Sequence, residues 1–276
     1  MNPHAAQPTS FGSMVGSLWS HRQLIVQMAR REVIGRYKGS VMGLLWSFLN
    51  PIFMLMVYTF VFSVVFKAKW GSSGDESKMQ FAVVVFAGMV VQALFADILN
   101  RAPTLILSNV NYVKKVVFPL ETLIAIAAGS ALFHACASLL VLLGAFIVLN
   151  GSLHWTAVFL PLVFLPLLIL SLGCGWFLAS LGVYLRDVGQ FVGVLTTVLM
   201  FLSPVFFPVS ALPAAVQPWI LLNPLTFIIE QTRAVVIWGA MPDWSGLAFY
   251  LVGASTFAWL GYAWFQKTRK GFADVL

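Results

Sequence analysis

The sequence predicts an all-α membrane protein: six transmembrane helices, an N-terminal amphipathic interface helix, and a re-entrant outer-face hairpin between the fifth and sixth helices. Three observations carry this. Sixty percent of the 276 residues are hydrophobic and 9% are charged, whereas a soluble domain carries about a quarter charged residues to face water. Uncharged runs of about 20 residues, long enough to cross a hydrocarbon core, recur along the chain. The basic residues flank those runs instead of gathering on one soluble face, a pattern that orients a membrane protein and argues against nucleic acid as a partner.

The apolar runs lie at about 42–66, 79–100, 120–149, 155–183, 191–210 and 246–265. They divide the chain into a cytoplasmic segment 1–41, a transmembrane domain 42–265 and a tail 266–276. The opening MNPHAAQPTS lacks the basic-then-apolar pattern of a cleaved leader, so the N-terminus is expected to be retained. With that end cytoplasmic and six crossings, Arg22, Arg30, Arg31, Arg36, Lys38, Arg101, Lys114, Lys115, Arg186, Lys267, Arg269 and Lys270 lie inside, 12 of the 16 Lys and Arg. Lys67, Lys69, Lys78 and Arg233 fall outside. That asymmetry favours this orientation over its inverse.

A seventh apolar stretch, 211–238, is settled by parity. If it crossed fully, the basic tail KTRK would end outside. It also holds Pro213, Pro218 and Pro224, which break helices, and it ends in Glu230, Gln231 and Arg233. Such a segment is tolerable at membrane depth only where protein or water covers it, so it reads as a hairpin that enters from the outer face and returns.

Residues 13–38 differ from the spans. Val15, Leu18, Trp19, Ile25 or Val26, Ala29, Val33 and Tyr37 recur at helical spacing, with Arg22, Arg30, Arg31 and Arg36 mostly between them. This basic amphipathic helix suits either a membrane surface with anionic headgroups or a packing surface on protein.

No loop of the form GxxxxGK[ST] is present to cradle phosphates, and no HExxH, nucleophile elbow or acidic pair appears. Cys136 and Cys174 read as small buried hydrophobes, and His134 and His154 as isolated packing residues. Asp97 stands four residues before Arg101, which predicts an i,i+4 pair at the interface. Glu121 begins a span, where the helix dipole favours an acid. With almost no ionisable residue at mid-depth, a proton-driven transporter lacks its relay.

In the first span Gly43, Ser47, Asn50, Met54 and Tyr58 share one helix face, opposite Leu45, Phe48, Ile52, Leu55 and Phe62. An Asn amide facing lipid would be left unpaired, so this stripe belongs against a polar path or a neighbouring helix. Hydroxyls and amides beside aromatic rings suit a glycan. Pro51 is positioned to bend the helix.

Five strings in register extend the reading. RREVIGRYKGSVMGLLWSFLNPIFMLMVYTFVFSVVF from Arg30, NYVKKVVFPLETL from Asn111, YLRDVGQ from Tyr184, LSPVFFP from Leu202 and NPLTFIIEQTR from Asn223 together resemble ABC-2 type permeases that export polysaccharides. Leu120 departs from the pattern where a basic residue is expected, which puts a charge contact there in doubt. The resemblance implies a half-transporter in a bacterial inner membrane that pairs with a second copy of itself and with two copies of an ABC ATPase subunit. That subunit would bind ATP and Mg, so this chain would carry no cofactor and catalyse no reaction. The implied cargo is a lipid-linked glycan: O-antigen first, then capsule or teichoic acid, with a small lipophilic compound as the alternative. On this reading Arg30, Arg31, Arg101, Lys114 and Lys115 couple to the ATPase. Ser47, Asn50, Tyr58, Thr197 and Phe201 line the path, and Pro204, Phe206, Phe207 and Pro208 form an outer gate.

Overall fold

The computed structural model describes residues 8–61, 78–114 and 118–276. Among them every regular element is helical. Two short helices, α1 (Phe11–Ser20) and α2 (Arg22–Arg36), precede α3 (Trp46–Tyr58). Then come α4 (Lys78–Leu105), α5 (Val110–Lys114), α6 (Thr122–Asn150), α7 (Leu160–Tyr184) and α8 (Val188–Phe201). The chain ends with α9 (Gln217–Leu222), α10 (Pro224–Val236), α11 (Trp244–Thr268) and α12 (Phe272–Val275).

Five stretches of the described residues are long and apolar enough to cross a membrane: Gly43–Val61, Phe81–Leu105, Thr122–Asn150, Trp155–Tyr184 and Trp244–Val275. The remainder of the expected 42–66 run lies outside the described residues. α4 is the central helix, packed by α3, α6, α7, α8 and α10, with Val85, Ala87, Val91, Ile98 and Ala102 fully buried. A helix that is apolar all round belongs in such a position. The Gly43–Val61 span and α8 are peripheral and keep large apolar side chains uncovered, Phe60 and Phe201 each at 60% exposure.

Small residues set the closest approach. α7 and α11 pack most extensively because Gly173 and Gly261 meet there: a methyl group on Gly173 would lie 2.7 Å from the Ala258 Cα. Without a hydrophobic drive between helices in lipid, such backbone proximity supplies the packing energy.

Three expectations change in the structure. The single helix over 13–38 is two helices, broken at His21, whose backbone leaves the helical region. The break lets α1 pack on α11 while α2 lies on α6, where Ala29 meets Gly129; Val15, Trp19 and Val26, expected on one apolar stripe, are exposed. The run 191–210 is helical only to Phe201, because Pro204 has no amide to donate and disfavours helix at Ser203. Its 14 residues rise about 21 Å, short of the ~30 Å hydrocarbon thickness. Cys136, expected to be buried, is exposed on α6, and Cys174 is partly buried.

Stretch 211–238 folds as α9 and α10. Asn223 explains the junction: its side chain caps α10 by accepting from Leu225 N at 3.0 Å, and its amide donates to Ser203 Oγ at 2.9 Å. Pro224 then occupies the first helical position, where a missing N–H costs nothing. At the other end α11 is capped by Asp243, which accepts from Gly246 N and Ser245 Oγ; these bonds hold its exposed carboxyl below the usual range.

Candidate functional site

The stripe on α3 closes over α4 and α6. Ser47, Asn50, Met54 and Tyr58 line one cavity of about 300 Å³ together with Arg36 and Tyr37, which end α2, and His134 and Ser138 of α6. α4 supplies an apolar wall that includes Phe86 and Met89. Ser47 is buried and donates to the Leu44 carbonyl at 2.7 Å. Asn50 is exposed at the cavity. The Tyr37 hydroxyl lies 3.4 Å from His134 Nδ1, and His134 Nε2 is buried with no hydrogen-bond partner among the described residues.

A charged ring borders this cavity. Arg101 is paired with Glu32 of α2 and lies 3.9 Å from Asp97. Arg36 reaches Asp97 at 3.8 Å. The predicted i,i+4 pair therefore forms, within a larger network that joins α2 to α4. Asp97 stands 19 residues from the far end of α4 and His134 16 residues from that of α6. At 1.5 Å per residue these are about 28 and 24 Å, close to one hydrocarbon thickness. The ring sits where a bilayer's polar surface would meet the bundle.

A second junction lies beyond the ring. Glu121, at the start of α6, accepts from Ser17 Oγ at 2.7 Å and pairs with Arg269 at 2.9 Å. Arg269 also donates to the Phe118 carbonyl at 3.1 Å, and Tyr112 stacks on Phe118 with centroids 4.4 Å apart. The α4–α6 connection, α1 and the turn that follows α11 thus meet at one carboxylate.

Comparison with known proteins places this architecture. Residues 23–237 match the family described as ABC-2 type transporter. The chain belongs to that family. It is 26% identical over 265 residues to the O-antigen export system permease protein RfbA of Myxococcus xanthus, covering 95% of this chain and 99% of that one. It is 25% identical to the polysialic acid transport protein KpsM of Escherichia coli, covering 87% and 91%. It is 27% identical to the capsule polysaccharide export inner-membrane protein CtrC of Neisseria meningitidis serogroup B, covering 83% and 84%.

Within this ABC-2 transporter the predicted path residues divide. Ser47, Asn50 and Tyr58 come together, whereas Thr197 and Phe201 are exposed on α8 and do not line the cavity. The Thr197 hydroxyl donates to its own helix at Gly193 O, 2.9 Å away. Its neighbour Thr196 is buried and bonds Asn100, while Gln92 donates to the Thr196 carbonyl. Of the outer-gate residues, Pro204 is buried and Phe206, Phe207 and Pro208 are partly buried, with the Phe206 ring 6.1 Å from Phe201. Arg30 and Arg31 are exposed on α2. Lys114 ends α5, and Lys115 lies outside the described residues. Arg101 spends its charge on Glu32 and Asp97. His134, Arg36 and Tyr37 were missed as cavity residues, since 97 positions separate Tyr37 from His134 and no local spacing joins them.

Proposed function

We propose that this chain is the permease subunit of an ATP-driven exporter that moves a lipid-linked polysaccharide, O-antigen in the first instance, across a bacterial inner membrane. The observation that carries this reading is the near full-length similarity to an O-antigen export permease, with similarity to two capsule-type transport proteins alongside it. The polar, aromatic cavity on α3 is chemically suited to such cargo, since sugars offer both hydroxyls and apolar C–H faces.

The chain works as a pair with two copies of a separate ATPase, which binds ATP and Mg. α8 with Leu202–Pro208 completes a sixth crossing, and α9 and α10 form the re-entrant hairpin. Both termini are cytoplasmic, and α1 with α2 lies along the inner interface. Closure of the ATPases enters the membrane through Arg30 and Arg31 on α2 and through the connection 101–118, where Lys114 and Lys115 meet acidic partner residues. Two copies of α3 and α8 line the path, and Pro204–Pro208 gates its outer end. That role is supported by the Arg233 anchor, which fixes the proline segment against α10 and α4.

Deletion of the gene tests the cargo. The deletion strain should lose long-chain surface glycan and accumulate lipid-linked glycan inside, with both restored by the plasmid-borne gene. Normal surface glycan together with lost export of a small lipophilic compound would replace this reading with that of a small-molecule exporter.

A further inference from the structure

We propose that the groove between α10 and α11 holds a phospholipid with a primary ammonium headgroup, its ammonium on Asp243 and one acyl chain in the apolar crevice beside it. This goes beyond the export reading: the groove shares no lining residue with the polar cavity on α3, and the lipid is a resident component, not cargo.

The register of the two helices builds the groove. The Tyr250 hydroxyl donates to the Pro224 carbonyl at 2.9 Å, and at the other end of the contact the Asp243 amide donates to Gln231 Oε1 at 2.8 Å, so α10 and α11 run side by side in opposite directions. Pro224, Phe227 and Gln231 share one face of α10, and Gly246, Phe249, Tyr250 and Gly253 share one face of α11, each set at helical spacing. Between these faces, with Leu170 of α7, lies a crevice of about 350 Å³. The Tyr250 oxygen is spent on Pro224, so the crevice presents carbon. Phe249 is 84% exposed at its rim, and α11 lies within the Trp244–Val275 stretch that is long and apolar enough to cross a membrane. What reaches the crevice from outside the protein is therefore hydrocarbon of the bilayer.

The polar mouth adjoins the crevice at a single residue. A methyl group on Gly246 would lie 2.5 Å from Asp243 Oδ2 and 2.6 Å from the Phe227 ring, so glycine there keeps the passage between carboxylate and crevice open. The 25 residues of α11 rise about 37 Å from the Glu121–Arg269 junction at its far end, which puts Asp243 at the opposite polar surface of a bilayer. Asp243 Oδ1 accepts from Ser245 Oγ and Gly246 N; the carboxyl is held below its usual range and is ionised at neutral pH. The ion pairs among the described residues join other groups, Glu230 with Arg233 nearest by in sequence. Gln231 Oε1 is taken by the Asp243 amide, which leaves the Nε2 protons for a phosphate oxygen. A cationic N–H donor beside a phosphate matches this pair of groups, whereas a headgroup of net negative charge meets the carboxylate unfavourably. A chain seated here braces α10, whose Arg233 holds the Pro204 and Val205 carbonyls.

Native mass spectrometry of the full chain with its ATPase, stripped of lipid and titrated with phosphatidylethanolamine, phosphatidylcholine or phosphatidylglycerol of the same acyl chains, tests this. The wild type should bind its first phosphatidylethanolamine about five-fold more tightly than phosphatidylglycerol, the scale of one exposed ion pair. Phosphatidylcholine, which keeps the positive charge and loses the N–H donors, should fall between. Asp243→Asn retains a capping side chain and should bring the three lipids within about two-fold of one another. Gly253→Trp, placed where that helix face is open, fills the crevice and should weaken all three. Equal affinity for phosphatidylglycerol in the wild type, an unchanged preference in Asp243→Asn, or unchanged phosphatidylethanolamine binding in Gly253→Trp would overturn the proposal and leave unselective boundary lipid only. None of these outcomes bears on the cargo, which the gene deletion tests separately.

Discussion

Arg233 Nη2 donates to the Val205 carbonyl at 2.9 Å, and the same guanidinium reaches Pro204 O at 2.7 Å and Val84 O at 3.1 Å. Glu230, 2.8 Å away on α10, balances the charge. One fully buried side chain therefore joins α10, α4 and the proline segment after α8. The chain has left the helix after Phe201, so the Pro204 and Val205 carbonyls have no helical partner, and an arginine fork supplies several donors at once. Arg233→Leu should destabilise the protein by at least ~3 kcal/mol, since three carbonyls and Glu230 lose their partner. Arg233→Lys, with a compact head and fewer donors, should fall between. The check is thermal unfolding of detergent-purified protein; an unchanged midpoint in Arg233→Leu would rule out the role.

The α7–α11 contact predicts a different kind of failure. A side chain on Gly261 runs into the Gly173 backbone, and packed helices absorb added volume only by separating. Gly261→Val should cost about 1–3 kcal/mol and lower the melting temperature, whereas Gly253→Ala, on the open side of the same helix, should not.

These two sites show what hydropathy patterning reveals and what it hides. The long apolar runs are legible because lipid imposes one requirement along their whole length. The difference between buried α4 and peripheral α3 is not, because a residue facing lipid and a residue facing protein are both apolar. Charged residues inverted that weakness. Arg233 in a proline-broken stretch signalled cover by protein or water, and the structure covers it with protein. Glu121 was read from the helix dipole alone, yet its partner Arg269 lies 148 positions away. Ser47, Asn50 and Tyr58 were legible as a stripe because they share one helix face. His134 was not, since only the packing of α2 on α6 brings Tyr37 to it.

The stripe yields a functional prediction. Asn50→Leu and Tyr58→Leu, singly and together, should slow glycan export while leaving the protein at normal levels in the membrane. Asn50 is exposed and Tyr58 lines an existing cavity, so stability effects should stay small, within about 1 kcal/mol for Asn50→Leu. Quantified surface glycan checks this, and full export by the double variant would reduce the stripe to a packing face.

The Glu121–Arg269 pair invites a double-mutant cycle. Both side chains are largely covered, at 8% and 18% exposure, so removing one partner leaves a desolvated charge. Glu121→Gln and Arg269→Gln should each lose about 1–3 kcal/mol. The double variant should lose less than their sum, because neither charge is then stranded. Strict additivity in thermal unfolding would show that the two groups do not interact.

Arg269 also holds Phe118, on which Tyr112 of α5 stacks, so the turn after α11 braces the connection that carries Lys114 and Lys115. Charge reversal there addresses transmission without touching the membrane interior. Lys114→Glu/Lys115→Glu should leave the protein in the membrane and leave ATP hydrolysis by the partner running, while export falls at least ten-fold as ATP closure no longer reaches α4 and α6. Reversing acidic residues on the ATPase surface should restore part of the loss, as complementary charge across an interface requires. Wild-type glycan export in the reversed variant would place the coupling elsewhere, with Arg30 and Arg31 on α2 the next pair to reverse.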